Sequence, residues 1–202
     1  MIIGISGKIG TGKSVLGQHL QNLLARDHAF GEGVPVLRAF GDPLKQEVAE
    51  AFGFPLDWCY TTKGKATEIV LEAGGQAWEA FGCVATVREL MQWWGTDVRR
   101  AQDVDYWIKA FDSYVAQDLR MDNTILVPDV RFPNEVGWVL GQGGPVMMVR
   151  MEPYEGWQPG EFAGHASETS LDEYPFMERF RPGFGRLHVM ARSIFTRLQE
   201  LS

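Results

Sequence analysis

Apolar positions along the chain fall into two spacings, short continuous runs and three-or-four-residue repeats, and these alternate. Ile2-Ile3-Gly4-Ile5-Ser6 is a short apolar run ending at a glycine-rich loop and predicts a buried strand. Val15, Leu16, Leu20, Leu23 and Leu24 then recur at helical spacing and predict a helix over residues 13–26. Gly31 and Gly33 mark a loop, and residues 34–40 read as a second strand. Pro43 suits the first turn of a helix with Asp42 as N-cap, continued by Leu44, Val48, Ala51 and Phe52. Between Gly53 and Gly82 the pattern weakens, and residues 69–71 and 78–81 read as helical pieces joined by loops.

Thr86-Val87-Arg88-Glu89 has the form of a capping box, and the helix it opens is drawn over residues 86–100. Tyr106, Trp107, Ala110, Phe111, Tyr114 and Val115 predict another helix over 104–119. Residues 124–127 form a third strand leading into Pro128-Asp129, and 145–151 a fourth after the loop 141–144. A short fifth strand is drawn within 176–185, and the tail from 187 to 201 is amphipathic. Strands separated by helices in this way predict an α/β fold, a three-layer arrangement with a parallel sheet of about five strands flanked by helices.

Composition sharpens this picture. The 202 residues suit a single domain, and 45% hydrophobic with 12% aromatic content is enough for a real core, which excludes a disordered tail or a fibrous repeat. Lys and Arg number 19 against 26 Asp and Glu, a formal charge of −7. That balance argues against a nucleic-acid polymer or an anionic membrane surface as partner, because both call for a broad basic face. Basic groups that do chemistry must therefore sit in a local pocket. Cys59 and Cys83 stand apart, without metal-ligand spacing, and read as reduced thiols. The apolar opening is too short for a signal peptide, and no run approaches the roughly 18 apolar residues of a membrane span. The expectation is a soluble, cytoplasmic protein.

The strongest chemical signal follows the first strand. Gly7-Lys8-Ile9-Gly10-Thr11-Gly12-Lys13-Ser14 fits G-x-x-x-x-G-K-[ST] without a mismatch, in the required strand–loop–helix setting. Glycines let the backbone curl and aim N–H groups at phosphate oxygens, and the following helix adds the positive end of its dipole. In that motif Lys13 bridges the β- and γ-phosphates, and the Ser14 hydroxyl ligates Mg²⁺. The chain has no apolar strand ending in Asp-Glu and no Asn-Lys-x-Asp string, so phosphoryl transfer to a bound acceptor is favoured over hydrolysis for work or switching.

Two further stretches point to that acceptor. Asp129 stands at the end of an apolar strand with Arg131 and Glu135 close behind, at the strand end that borders the ligand crevice of an open parallel sheet. Asp129 could serve Mg²⁺ or a sugar hydroxyl, Arg131 a phosphate, and Glu135 orientation; an N-capping Asp with a solvated Arg is the alternative. On the helix drawn over 86–100, Arg88, Gln92, Gly95 and Arg99 fall on one face and could take a phosphate and a base edge, or form an ordinary polar outside. Among Trp93, Trp94 and Trp107, only Trp107, beside Asp105 and Tyr106, is considered for stacking on a base.

Taken together, these strings resemble the bacteriophage deoxynucleoside monophosphate kinases, P-loop kinases related to the animal-type phosphomevalonate kinases. The resemblance rests on Gly7–Ser14, Phe40-Gly41-Asp42-Pro43-Leu44-Lys45, the string from Val87-Arg88 through Gln92-Trp93-Trp94-Gly95-Thr96-Asp97, Asp105-Tyr106-Trp107, Asp129-Val130-Arg131-Phe132-Pro133-Asn134-Glu135 and His165-Ala166-Ser167-Glu168. It implies transfer of the ATP γ-phosphate to a deoxynucleoside monophosphate with Mg²⁺, and location in a host cytoplasm if the chain is phage-encoded. It implies Gly10, Thr11, Gly12, Lys13 and Ser14 as the holders of the ATP phosphates and metal, and Lys13, Asp129 and Arg131 as the catalytic group. It places Arg88, Gln92, Gly95, Thr96, Trp107, Asp129, Arg131 and Glu135 at the acceptor, with Asp42 and Lys45 in a second tier. A single kinase domain over 1–202 is expected, with a helical acceptor-binding insertion at about 53–120 and a lid at about 152–175.

Nucleotide kinases of this kind bring arginines on the lid, yet residues 152–164 hold Glu152, Glu155 and Glu161 and no basic residue. Arg99, Arg100, Arg179 and Arg181 are the remaining suppliers. For His165-Ala166-Ser167-Glu168, a loop-fixing hydrogen-bond network and direct ligand contact both stay open. The partners expected are small-molecule nucleotides, with no nucleic-acid polymer and no membrane; a homodimer is left open. Two other functions remain in view: a kinase for another phosphorylated metabolite, such as phosphomevalonate or dephospho-coenzyme A, and an ATP-hydrolysing assembly protein.

Overall fold

The opening apolar run forms β1 (Ile2–Gly7), buried at every position, and a loop carries it into α1 (Lys13–Leu24). These coordinates come from a computed structural model that describes all residues except 28–32, 160–163, 177, 182, 184 and 202. Gly31 and Glu161, used above to mark a loop and to characterise the lid, lie outside the described residues. After β2 (Pro35–Leu37) come α2 (Gly41–Phe52), a 3₁₀ turn (Leu56–Cys59), α3 (Thr62–Lys65), β3 (Glu68–Val70), α4 (Gln76–Phe81), β4 (Val84–Thr86) and α5 (Val87–Trp93). A π-helical stretch (Trp94–Arg100) and α6 (Tyr106–Arg120) follow. The remainder is β5 (Thr124–Val130), α7 (Pro133–Gly141), β6 (Val146–Met151), α8 (Ala166–Thr169), β7 (Glu178–Phe180) and α9 (Leu187–Leu201).

The chain divides into two compact units, one made of Met1–Phe40 with Asp112–Ser202 and the other of Gly41–Phe111. The first contains a five-stranded sheet in the order β2-β5-β1-β6-β7, parallel at every pairing, and flanked by helices. This is the α/β parallel sheet that the alternating pattern predicts. Strand alternation sorts its faces: Ile3, Ile5, Leu126, Met147, Val149 and Met151 pack with Leu16, Leu20 and Leu24 of α1 and with Met190, Ala191, Ile194 and Leu198 of α9. Residues of opposite parity, including Ser6 and Arg150, face the other way and pair in register.

Several boundaries differ from the sequence expectation, each for a local reason. β2 ends at Leu37 rather than at 40, and the Phe40 N–H goes to the Asp129 carboxylate instead of to a neighbouring strand. β5 continues through Pro128 and Asp129 to Val130. It does so by a bulge: Gly4 pairs with Val127 but Ser6 pairs with Val130, so β5 holds one residue more than β1 over the same span. Pro128 has no N–H for a ladder, so the bulge falls where regular pairing is weakest. The fifth strand drawn within 176–185 is the three-residue β7.

The Gly41–Phe111 unit is mostly helical around its own core of Val48, Ala49, Phe54, Cys59, Leu71, Ala77, Ala85, Val87 and Leu90. Residues 69–71, read as helical, belong instead to β3 and its end, with Ile69 opposite Ala85 of β4 in an antiparallel pair. Asp42 lies inside the first turn of α2, which starts at Gly41, so it is not the N-cap. The capping box at Thr86 is present in full: the Thr86 hydroxyl accepts from Glu89 N–H, and the Glu89 carboxylate accepts from Thr86 N–H. That bond holds the Glu89 carboxyl below its ordinary pKa.

Candidate active site

The loop between β1 and α1 has the curled backbone its glycines permit. Gly7, Gly10 and Gly12 have φ of 148°, 77° and 92°, and a side chain on Gly7 would meet the Met151 carbonyl at 2.7 Å. Thr11 closes the curl, its hydroxyl donating to the Lys8 carbonyl at 2.8 Å. The Lys13 ammonium folds back over the loop and donates to the carbonyls of Gly7 and Lys8, both at 2.7 Å. Only 8% of Lys13 is exposed. Burial, and secondly the charge of Arg131, lower its pKa to about 8, against the raising influence of Glu168 and Asp129. Ser14 is exposed in the first turn of α1, and no acidic residue occupies that turn to oppose an anion.

The β5 end supplies the next groups. The bulge at Pro128 and Asp129 turns the Asp129 carboxylate toward the end of β2, where Oδ1 accepts from Phe40 N–H at 2.8 Å. Glu135 is 2% exposed, and its Oε2 accepts from the backbone N–H groups of Arg131 and Phe132 at 2.6 and 3.1 Å. That oxygen holds the turn that opens α7. Arg131 is fixed through Glu135 at its backbone, while its guanidinium reaches the Glu168 carboxylate and the Ser167 hydroxyl.

The His165–Glu168 string builds a hydrogen-bond network. His165 caps α8, its Nδ1 accepting from Ser167 N–H at 3.2 Å. Glu168, buried, pairs with Arg131 and also accepts from the Ile9 N–H in the middle of the P-loop motif at 2.6 Å. Lys8 donates to the Glu168 carbonyl and to Asp172, both at 2.6 Å. The indole N–H of the half-buried Trp157 donates to the Ile9 carbonyl at 2.9 Å. Arg150, the last but one residue of β6, bonds Ser6 and Asp172 at 3.0 Å each, and among the described residues its buried Nε has no partner. Sequence reasoning missed Trp157 and Arg150 altogether. A charged residue inside the apolar run of β6 was a readable signal for Arg150; Trp157 had none.

In the Gly41–Phe111 unit, Arg88 and Gln92 lie on α5, both half-buried. The single polar face drawn over 86–100 does not continue past Trp93. There the winding changes to the wider π-helical turn, which advances through a smaller angle per residue and carries Arg99 off the line of Arg88 and Gln92. Arg99 instead donates to Glu47 at 2.6 Å and sits 5.0 Å from both the Trp94 and Tyr106 rings. Glu47 also accepts from Trp94 Nε1 and the Tyr106 hydroxyl. Arg99 is thus tied to Glu47 within its own unit. Burial, aided by Glu47, raises the Tyr106 pKa.

Trp107 is 3% exposed and donates its indole N–H to the Gly95 carbonyl at 2.9 Å, so it braces the π-helical turn and presents no open stacking face. Gly95 is buried against Leu44, Thr96 is half-buried, and Lys45 pairs with Asp42 at 2.8 Å over the Tyr60 ring. Arg179 pairs with Glu152 at 2.7 Å and Arg100 donates to the Val104 carbonyl at 3.3 Å. A shallow pocket lined by Arg38, Tyr114, Gln117, Asp118 and Met121 contains none of the motif residues. Among the described residues no His, Cys, Asp and Glu cluster could hold a metal ion by itself, and no helix is long and apolar enough to cross a membrane.

A parallel sheet with a P-loop motif between its central strand and first helix is the architecture of a P-loop kinase-like protein. The family model for deoxynucleotide monophosphate kinase matches residues 67–171, just over half of the chain, and the chain belongs to that family. The match takes in Arg88, Gln92, Asp129, Arg131 and Glu168 but not residues 7–14. The family name makes the chain a kinase, with deoxynucleotide monophosphates as its class of substrate. No curated protein matches the chain.

Proposed function

We propose that the chain transfers the γ-phosphate of ATP to a deoxynucleoside monophosphate, giving the diphosphate and ADP. The observation that carries this reading is the buried Lys13 ammonium, held over the P-loop motif with the charge of Arg131 near enough to lower its pKa. A buried cation with a half-buried one beside it, at one strand-and-loop edge, suits an anion and is of little use to an apolar ligand. In the reaction an ionised oxygen of the acceptor phosphate bonds to the γ-phosphorus as its bond to the bridging oxygen breaks. The electron pair leaves on the β-phosphate. No proton must be removed, so no strong general base is needed.

Gly10, Thr11, Gly12, Lys13 and Ser14 take the donor phosphates, and Lys13 and Arg131 neutralise charge as it develops on the transferred group. Glu135 holds the backbone of Arg131 in place. The exposed Ser14 hydroxyl and the absence of acids in the first turn of α1 fit a phosphate-bound Mg²⁺, with Asp129 as a second oxygen donor. When bound, such an ion supplies further charge neutralisation. Arg88, Gln92, Gly95 and Thr96 recognise the acceptor, and Trp107 contributes by fixing the Gly95 turn. The acceptor-binding insertion is assigned to about residues 53–120, and the lid to about 152–175, of which 160–163 lie outside the described residues.

The test mixes the protein, ATP and Mg²⁺ with each of the four deoxynucleoside monophosphates, their ribose counterparts, phosphomevalonate and dephospho-coenzyme A, and follows ADP release. ADP release that depends on a deoxynucleotide is expected. Acceptor-independent turnover, or turnover with only phosphomevalonate or dephospho-coenzyme A, would refute the reading.

A further inference from the structure

The geometry points to Glu168 as a positioning residue for phosphoryl transfer, the buried carboxylate that ties the P-loop tip to the Arg131 guanidinium; this rests on the kinase reading above. Three observations converge. Glu168 is 7% exposed and lies 37 residues from Arg131 in sequence, yet its Oε1 pairs with the Arg131 Nη1. The other oxygen, Oε2, accepts from Ile9 N–H at 2.6 Å. The same residue offers its backbone carbonyl to Lys8, so two contacts fasten α8 to the P-loop motif, and Lys8 adds another to Asp172 beyond the helix.

The electrostatics give that carboxylate a task. Lys13, Arg131 and Arg150 are near enough for the two arginines to lower the Lys13 pKa, while Glu168 acts in the opposite sense. Three buried or half-buried cations repel one another unless an anion stands among them. Before phosphate arrives, Glu168 is such an anion; it holds Arg131 in line while the site has no ligand charge. Because it also grips the Ile9 amide, the distance between the P-loop tip and Arg131 is set by one side chain. Glu168 does not need to touch either substrate to do this.

A residue of this kind leaves a distinctive kinetic signature. Glu168→Gln keeps the size of the side chain and an acceptor for Ile9 N–H but removes the ion pair with Arg131. The expected result is a kcat lower by about 10- to 100-fold, the range of a misplaced catalytic group. The KM for ATP should stay level or fall, because removing an anion makes the phosphate site more positive. In the double variant with Arg131→Ala, Glu168→Gln should add less than about threefold to the loss caused by Arg131→Ala alone, since the carboxylate acts through that arginine. Thermal melting and ADP binding by calorimetry check that each variant is folded.

A merely structural role would instead raise the KM for ATP, lower the melting temperature and add fully to the Arg131→Ala loss. That pattern, or a Glu168→Gln kcat within about threefold of the unaltered chain, would overturn the positioning role while the kinase reading stood. Failure of the unaltered chain to phosphorylate any deoxynucleotide would overturn both together.

Discussion

The sheet unit and the Gly41–Phe111 unit use their charged side chains in opposite ways. In the sheet unit, Lys13, Arg131, Arg150, Glu168 and Asp172 gather around the P-loop motif and the ends of β5 and β6, and burial pulls the Lys13 pKa to about 8. In the Gly41–Phe111 unit, Glu47 collects Arg99, Trp94 and Tyr106 into a closed tie, and Trp107 braces Gly95. The first arrangement leaves cations concentrated against one loop; the second neutralises its cation internally. The difference teaches where an incoming anion would meet positive charge: at the P-loop motif rather than at the Glu47 tie.

The sharpest way to break the comparison is at Lys13. Lys13→Ala should cut phosphoryl transfer by about a thousandfold or more, on the scale of losing a principal charge on the transferred phosphoryl group. Circular dichroism and melting should change little, since a partly desolvated cation is removed rather than a core contact. Near-normal turnover would show that the motif does not hold the donor. Arg131→Ala should come next, lowering kcat/KM for the acceptor by about 100-fold while ADP binding changes by less than about fivefold. Equal losses in both would put Arg131 on the donor side.

The Gly41–Phe111 unit should respond in stability instead. Glu47→Ala leaves Arg99, Trp94 Nε1 and the Tyr106 hydroxyl without their common acceptor, and should destabilise by about 2 kcal/mol in urea titration. If it altered kcat more than stability, the tie would belong to the chemistry and the contrast would fail.

The smallest effect is the pH dependence of Lys13. Its pKa in the ligand-free protein is about 8, below the ordinary lysine value, and a bound phosphate favours the charged form and raises it. Nucleotide binding must then take up a proton above pH 8, and affinity falls by up to about tenfold per pH unit as pH rises beyond it. Below that pH Lys13 contributes no slope. Calorimetry of ADP binding at pH 7 and 9, in buffers of different ionisation enthalpy, reads the proton directly.

How much of this was legible in sequence follows the same division. β1, the loop and α1 were readable because a strand, three glycines and a lysine at fixed spacing leave the backbone one solution. Asp129 and Arg131 were placed at the right strand end, although the bulge that re-aims Asp129 is invisible without the partner strand. The helix over 86–100 was half legible: the capping box opens it as expected, but hydrophobic spacing is blind to a π-helical turn beginning at Trp94. β3 was misread because three residues with only Ile69 half-buried carry too little alternation. The links from Glu168 to Ile9 and Arg131, and from Trp157 to Ile9, join residues 159, 37 and 148 positions apart, and no local pattern encodes them.

The central claim, that the Lys13 loop passes a phosphoryl group to a deoxynucleotide, is tested most directly by following the label from γ-labelled ATP. Incubated with Mg²⁺ and a deoxynucleoside monophosphate, the unaltered chain should move the label into the deoxynucleoside diphosphate, and Lys13→Ala should leave it on ATP. Label released only as free phosphate, or transferred equally well by the Lys13→Ala chain, would contradict the account.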